Sequence, residues 1–268
     1  MPHFPSFDGL PLHYDVVGEG TGDPLVVLPG GPGMDARYLG DLGGLSASRR
    51  LIRLDGRAAG RSGVPLDRTT VSFTRQADDV EALREHLGME RLDILAHSAG
   101  TLTAQEYAVR HRNRVRRLVL VTPIGRAGRD IDTAELAGIR AGRAAEPWYP
   151  HAAAALAEDV TNPITRARLI PFHWHRWTPE RRHEYHPSHA SRLPWLREAF
   201  YSGTATPGPV LAPVLVVAGA SDGMIGIAPA RVVAAAHPCS RLEIMTESGH
   251  RPWVEEPELF RALVTGFL

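Results

Sequence analysis

Short, nearly continuous apolar runs alternate along this chain with stretches whose apolar residues recur every three or four positions. The runs at 25–28, 92–96 and 118–121 read as strands buried on both faces, and those at 51–54, 214–218 and 242–245 as further strands. Helical spacing appears at 74–87, where Ala77, Val80, Leu83 and Leu87 share a face, and again at 101–110, 229–236 and 255–267. Ahead of them, Asp8-Gly9 sits between two short segments within 3–17 and predicts a leading β-hairpin. Strands alternating with helices predict an α/β fold, a mostly parallel central sheet covered by helices on both faces.

Between about 122 and 206 the pattern changes. Helical pieces at 133–143 and 151–159 alternate with prolines, no strand-like run occurs, and Trp148, Trp174, Trp177 and Trp195 gather there. The expected organisation is a core first part at 1–122, a helical cap or lid inserted at 123–206 after the strand at 118–121, and a core second part at 207–268.

Composition narrows the chemistry. Thirty basic and thirty acidic residues cancel, which speaks against nucleic acid or an anionic membrane as partner. Every basic residue is arginine, so Schiff-base, Ser-Lys and P-loop chemistries, each needing an amine, are excluded. The single cysteine, Cys239, allows no internal disulfide and reads as an inert packed thiol. With no signal peptide and no apolar run of membrane-spanning length, the expectation is a cytoplasmic protein acting on a small molecule or short peptide, its oligomeric state open.

One stretch stands out. Leu92-Asp93-Ile94-Leu95-Ala96 runs into His97-Ser98-Ala99-Gly100 and then a helix, placing a serine on a strand-to-helix turn. Such a serine also suits a plain helix N-cap. As a nucleophile it needs a base to take its proton and a carboxylate to orient that base. Asp222 follows the strand at 214–218, and His250 follows the one at 242–245, inside Glu247-Ser248-Gly249-His250. All three thus occupy loops after strands, where open parallel sheets bind their ligands.

Five stretches in order resemble the α/β-hydrolase family, and within it the proline iminopeptidase-like branch. Gly30-Gly31-Pro32-Gly33 is similar to a His-Gly-Gly-Pro-Gly loop, with Pro29 in place of histidine. Asp55-Gly56-Arg57-Ala58-Ala59-Gly60-Arg61-Ser62 is similar to Asp-Gln-Arg-Gly-x-Gly-x-Ser, with Gly56 and Ala58 as departures. The serine turn, with Ala96 where Gly is usual, the Gly-x-x-Asp loop at Asp222 and the Ser-Gly-His loop at His250 complete the set. The resemblance implies an α/β-hydrolase fold and assigns Ser98 as nucleophile, His250 as general base then acid, and Asp222 as its orienting partner. It implies an oxyanion hole from the N–H groups of Gly31 and Ala99, and needs no cofactor or metal.

Competing readings remain at several positions. Asp55 is a second candidate carboxylate, His97 and Arg57 read as scaffold, and His173, His175, His183, His186 and His189 form a polar surface or a metal site. The lid tryptophans Trp148, Trp174, Trp177 and Trp195 are candidate substrate contacts, because substrate pockets are largely apolar. Iminopeptidases bind a free amine through a lid Trp-Glu pair, but Thr178 follows Trp177; Glu146, Glu158, Glu180 and Glu184 are the acidic residues left. The expected activity is therefore a serine hydrolase cleaving a small amide or ester through an acyl-enzyme. A carboxylesterase or tailoring hydrolase of secondary metabolism is the alternative, and a ligand-binding member of the fold without activity the third.

Overall fold

A computed structural model describes residues 2–126, 130–159, 162–184, 191 and 193–268. The hairpin forms as its turn signal predicts: β1 (His3–Pro5) pairs antiparallel with the start of the long β2 (Pro11–Leu28). β3 (Arg49–Leu54) lies between the two halves of β2. Tyr14 to Val17 pair with Leu54 back to Leu51, whereas Leu25 to Val27 pair with Leu51 up to Arg53, so the outer half runs against β3 and the inner half along it. From there the sheet continues in parallel through β4 (Leu92–His97), β5 (Val115–Val121), β6 (Val214–Gly219) and β7 (Ser240–Met245).

Alternate residues of the inner half of β2, β4, β5 and β6 feed two cores, whereas the edge strand β7 is mostly half-buried or exposed and leaves Ile244 at the surface. Val26, Ile94, Leu118 and Val216 pack with α1 (Phe73–His86), α2 (Gly100–Arg110) and α8 (Ala228–Ala236) on one face. Val27, Leu95, Val119 and Val217 pack on the other face with Leu39, Trp253 and Phe260. The helix expected at 255–267 is two helices, α9 (Pro252–Glu255) and α10 (Pro257–Phe267). Glu256 breaks them at φ −127° and ψ 63°, because the residue before a proline is crowded out of the helical region.

Between β5 and β6 the described residues form α3 (Thr133–Ala141), α4 (Tyr149–Ala155), α5 (Pro163–Leu169), α6 (Pro179–Glu184) and α7 (Leu196–Tyr201), with a tight turn at Ile170–His173 and no strand. Asp132 and Asn162 cap α3 and α5 by accepting main-chain N–H bonds, and Pro163 opens α5 without losing a helical bond. α7 sets Leu196 against Ala58 and Val71, and Phe200 against Phe73, Ala99 and Leu102, so the insertion packs beside the serine turn. No helix among the described residues is long and apolar enough to cross a membrane. Because β2, β4, β6 and β7 share a direction here, the loops carrying Gly30, Ser98, Asp222 and His250 leave the same edge of the sheet.

Candidate active site

Ser98 sits on the turn between β4 and α2. β4 ends at His97, and Ser98 adopts φ 51°, a left-handed conformation that costs a non-glycine residue on the order of 1 kcal/mol. Its N–H bonds the Val121 carbonyl at 2.9 Å and its carbonyl accepts from Thr101 N–H at 3.0 Å, so neighbours on both sides hold the strain. Gly100 explains the small residue two places on: a Cβ there would lie 2.3 Å from the Pro29 carbonyl oxygen. Ala96, fully buried in β4, stands where the related motif has glycine and is accommodated.

Asp222 and His250 meet this serine from the loops after β6 and β7, two and three strands beyond β4 in the sheet. His250 Nε2 is 3.0 Å from Ser98 Oγ, and His250 Nδ1 is 2.7 Å from Asp222 Oδ2. The other carboxylate oxygen accepts the N–H groups of Met224 at 2.9 Å and Ile225 at 3.2 Å. An oxygen fixed this way leaves its partner aimed at the ring, which directs the imidazole proton to Nδ1 and frees Nε2 to accept from a hydroxyl. All three side chains are buried. The rival Asp55 is a loop staple: it accepts Ala36 N–H at 2.8 Å and Arg61 N–H at 3.1 Å. Arg57 likewise joins the hairpin turn to α1 through Asp8 and Asp79.

Above the serine, the Gly30–Gly33 loop closes in. The N–H groups of Gly31 and Ala99 make no hydrogen bond among the described residues, while Gly30 N–H is held by Tyr38 Oη at 2.6 Å. Ala99 also precedes the buried α2, whose N-terminal end favours negative charge. A cavity of about 40 Å³ opens beside this loop. Its lining includes Pro29, Gly30, Gly33, Ala99, Leu196 and Phe200, together with the polar Gln76, Arg57 and Asp79.

The four tryptophans do not border that cavity. Trp174 is fully buried, Trp148 meets Phe172 edge-on at 5.2 Å, Trp177 lies under Arg182, and Trp195 lies under Arg68. Two α7 side chains, Leu196 and Phe200, line that cavity, because this short helix packs over Gly33 and Ala99. Among the described residues no group of His, Cys, Asp or Glu could hold a metal ion. His173 faces the His250 ring and His175 bonds Ser221 Oγ at 2.8 Å; the side chain of His183, and His186 and His189, lie outside the described residues. Cys239 is exposed rather than packed.

Three contacts around the site had no sequence signature. Glu255, whose carboxyl burial pushes up, accepts the N–H groups of His175, Arg176 and Gly249 and ties the insertion to the His250 loop. His173 lends its carbonyl to His250 N–H at 2.7 Å. Tyr38 reaches His97 Nδ1 at 2.6 Å. Burial, with His250 beside it, holds the His97 imidazole well below the ordinary histidine range, so the ring stays neutral.

Residues 23–257 match the family model for the α/β-hydrolase fold, and the chain belongs to that family. It is 32 % identical to a proline iminopeptidase of Heyndrickxia coagulans over 104 residues, 39 % of this chain and only 36 % of that one. A putative carbamate hydrolase, RutD, of Agrobacterium fabrum is 27 % identical over 267 residues, 96 % of this chain and 98 % of its own. Among solved structures, the esterase RhEst1 from Rhodococcus sp. ECU1013 superposes with a TM-score of 0.76 at 26 % identity, covering 99 % of this chain and 97 % of the esterase. Peptidase and esterase relatives thus both surround it.

Proposed function

We propose that the protein is a serine hydrolase that cleaves a small ester or amide through an acyl-enzyme. The observation that carries this reading is the hydrogen-bonded series Ser98 Oγ, His250 Nε2 and Nδ1, Asp222 Oδ2, at 3.0 and 2.7 Å, on a serine held at positive φ. Ser98 Oγ attacks the substrate carbonyl as His250 Nε2 takes its proton, and Asp222 holds the resulting imidazolium. The carbonyl oxygen, now an oxyanion, turns toward the N–H groups of Ala99 and Gly31. Such donors are aimed in advance at charge that develops only in the transition state, and each is worth roughly 3 kcal/mol. Collapse expels the alcohol or amine with the proton from His250, and water, deprotonated by the same ring, then releases the acid.

The cavity favours a short acyl group, since it holds only about 40 Å³ and the apolar Leu196 and Phe200 line it. Free-amine recognition is less well served by the lid. Glu146 is paired with Arg143 and Glu158 with Arg168, Glu180 is drawn to Thr178, and the Glu184 side chain lies outside the described residues. An ester or an uncharged amide is therefore preferred over the aminoacyl substrates of the iminopeptidase relatives. Comparing p-nitrophenyl esters of two to eight carbons with Pro- and Ala-nitroanilides tests this: rapid turnover of the short esters supports it, and turnover of the aminoacyl anilides alone contradicts it.

A further inference from the structure

We propose that Tyr38 and His97 are positioning residues: one hydrogen-bond chain through them fixes the oxyanion loop, the serine turn and the His250 main chain relative to one another. This rests on the serine-hydrolase reading above. The chain runs from Gly30 N–H to Tyr38 Oη at 2.6 Å, on to His97 Nδ1 at 2.6 Å, and from His97 Nε2 to the His250 carbonyl oxygen at 2.9 Å.

Its two ends set its direction. An amide N–H can only donate and a carbonyl oxygen can only accept. Tyr38 therefore accepts from Gly30 and gives its own hydrogen to Nδ1, and His97 carries its proton on Nε2, donating to His250. One arrangement of protons satisfies every member. A second proton on Nδ1 would face Tyr38 Oη and leave the phenol hydrogen without its acceptor, so the neutral ring is part of the device. His97 is surrounded accordingly, with the His250 ring at 4.8 Å, Trp253 edge-on at 4.8 Å, and burial and the Arg251 charge opposing protonation. Arg251 also lies over the Tyr38 ring at 4.8 Å, with Asp35 the nearby acid. Thr122 Oγ1 adds a second donor to the His250 carbonyl at 3.2 Å.

What the chain joins gives it a role beyond packing. Gly30 precedes Gly31, His97 precedes Ser98, and the last acceptor is the main chain of His250 itself. Each residue it grips is thus the acting residue or the immediate neighbour of one. With Pro29 at the head of the loop, the grip falls on a main-chain N–H, and the next N–H, that of Gly31, has no partner among the described residues.

Tyr38→Phe keeps the ring and removes only the link. The expected result is a kcat lower by roughly ten- to hundredfold, the scale of a small misplacement of reacting groups, with KM little changed. Affinity for a boronic acid that forms a tetrahedral adduct should fall by a similar factor, while that for a planar carboxylate product holds. His97→Gln, whose amide can accept from Tyr38 and donate to His250, should retain more activity than His97→Leu. The proposal is overturned if Tyr38→Phe keeps wild-type kcat and boronate affinity, or if His97→Gln and His97→Leu lose activity equally and in proportion to lost thermal stability. The underlying reading has its own readout: a fluorophosphonate that fails to label Ser98 in the wild type overturns that reading, whereas a labelled wild type beside an unaffected Tyr38→Phe overturns this proposal alone.

Discussion

His173 and His250 are joined main chain to main chain: the His173 carbonyl accepts His250 N–H at 2.7 Å, and their rings meet at 5.8 Å in a T-shaped contact. The insertion therefore carries part of the frame of the histidine that faces Ser98. Gly249 makes the contact possible, because a Cβ there would lie 2.3 Å from that same carbonyl oxygen. Gly249→Ala should push the two segments apart and lower kcat by roughly a hundredfold, as expected when a reacting group is displaced on the scale of an ångström. Steady-state kinetics beside a circular dichroism spectrum check it; near-wild-type kcat would show that the strap does not position His250.

Asp222→Asn removes the charge opposite His250 Nδ1 while keeping the shape. The amide can present N–H rather than oxygen to the ring, favouring the wrong tautomer, and kcat should fall by about 10⁴, as in other triads of this geometry. Comparing kcat for wild type and variant on the same ester decides it. Asp55→Asn is the control, since Asp55 accepts loop N–H groups away from Ser98.

The buried neutral histidines set a pH limit on stability. Burial lowers His97 well below 6.5 and His237 to about 4. His237 is committed to its neutral form, with Val210 N–H donating to Nδ1 at 3.2 Å and Nε2 meeting Gln105 Oε1 at 3.1 Å. Below 6.5 the unfolded chain binds protons these rings refuse, so stability is full above that pH and is lost as pH falls toward 4. Each such histidine contributes a slope of about 1.4 kcal/mol per pH unit across its window. Urea midpoints measured between pH 7 and 5 should fall, and His237→Gln should flatten the slope.

Phe200 borders the cavity from α7 and packs on Phe73 at 6.1 Å. Phe200→Leu should move the preferred p-nitrophenyl ester toward longer acyl chains, at roughly 1–3 kcal/mol of discrimination per methylene accommodated. An unchanged chain-length profile, with Trp148→Leu or Trp177→Leu shifting it instead, would return the substrate contact to the tryptophans.

Ser98, Asp222 and His250 could be picked out in the sequence because each follows a strand within a few residues, and parallel strands deliver such loops to one edge. The insertion was legible as a gap in that rhythm. The roles of Tyr38 and His173 were not, because Tyr38 acts through its hydroxyl on Gly30 and His97, and His173 through a main-chain carbonyl, neither of which leaves a residue pattern. Aromatic content alone does not separate a small lid's core from its pocket wall, and among the described residues Leu196 and Phe200 line the cavity. Pro257 does break the last helix, a local signal that the apolar period ran straight through.

The nucleophile assignment is tested most directly by incubating the protein with a fluorophosphonate probe at neutral pH and reading the intact mass and the labelled peptide. The account predicts one adduct, on Ser98, formed by the wild type and absent from Ser98→Ala. No adduct, or an adduct that persists in Ser98→Ala, would contradict it.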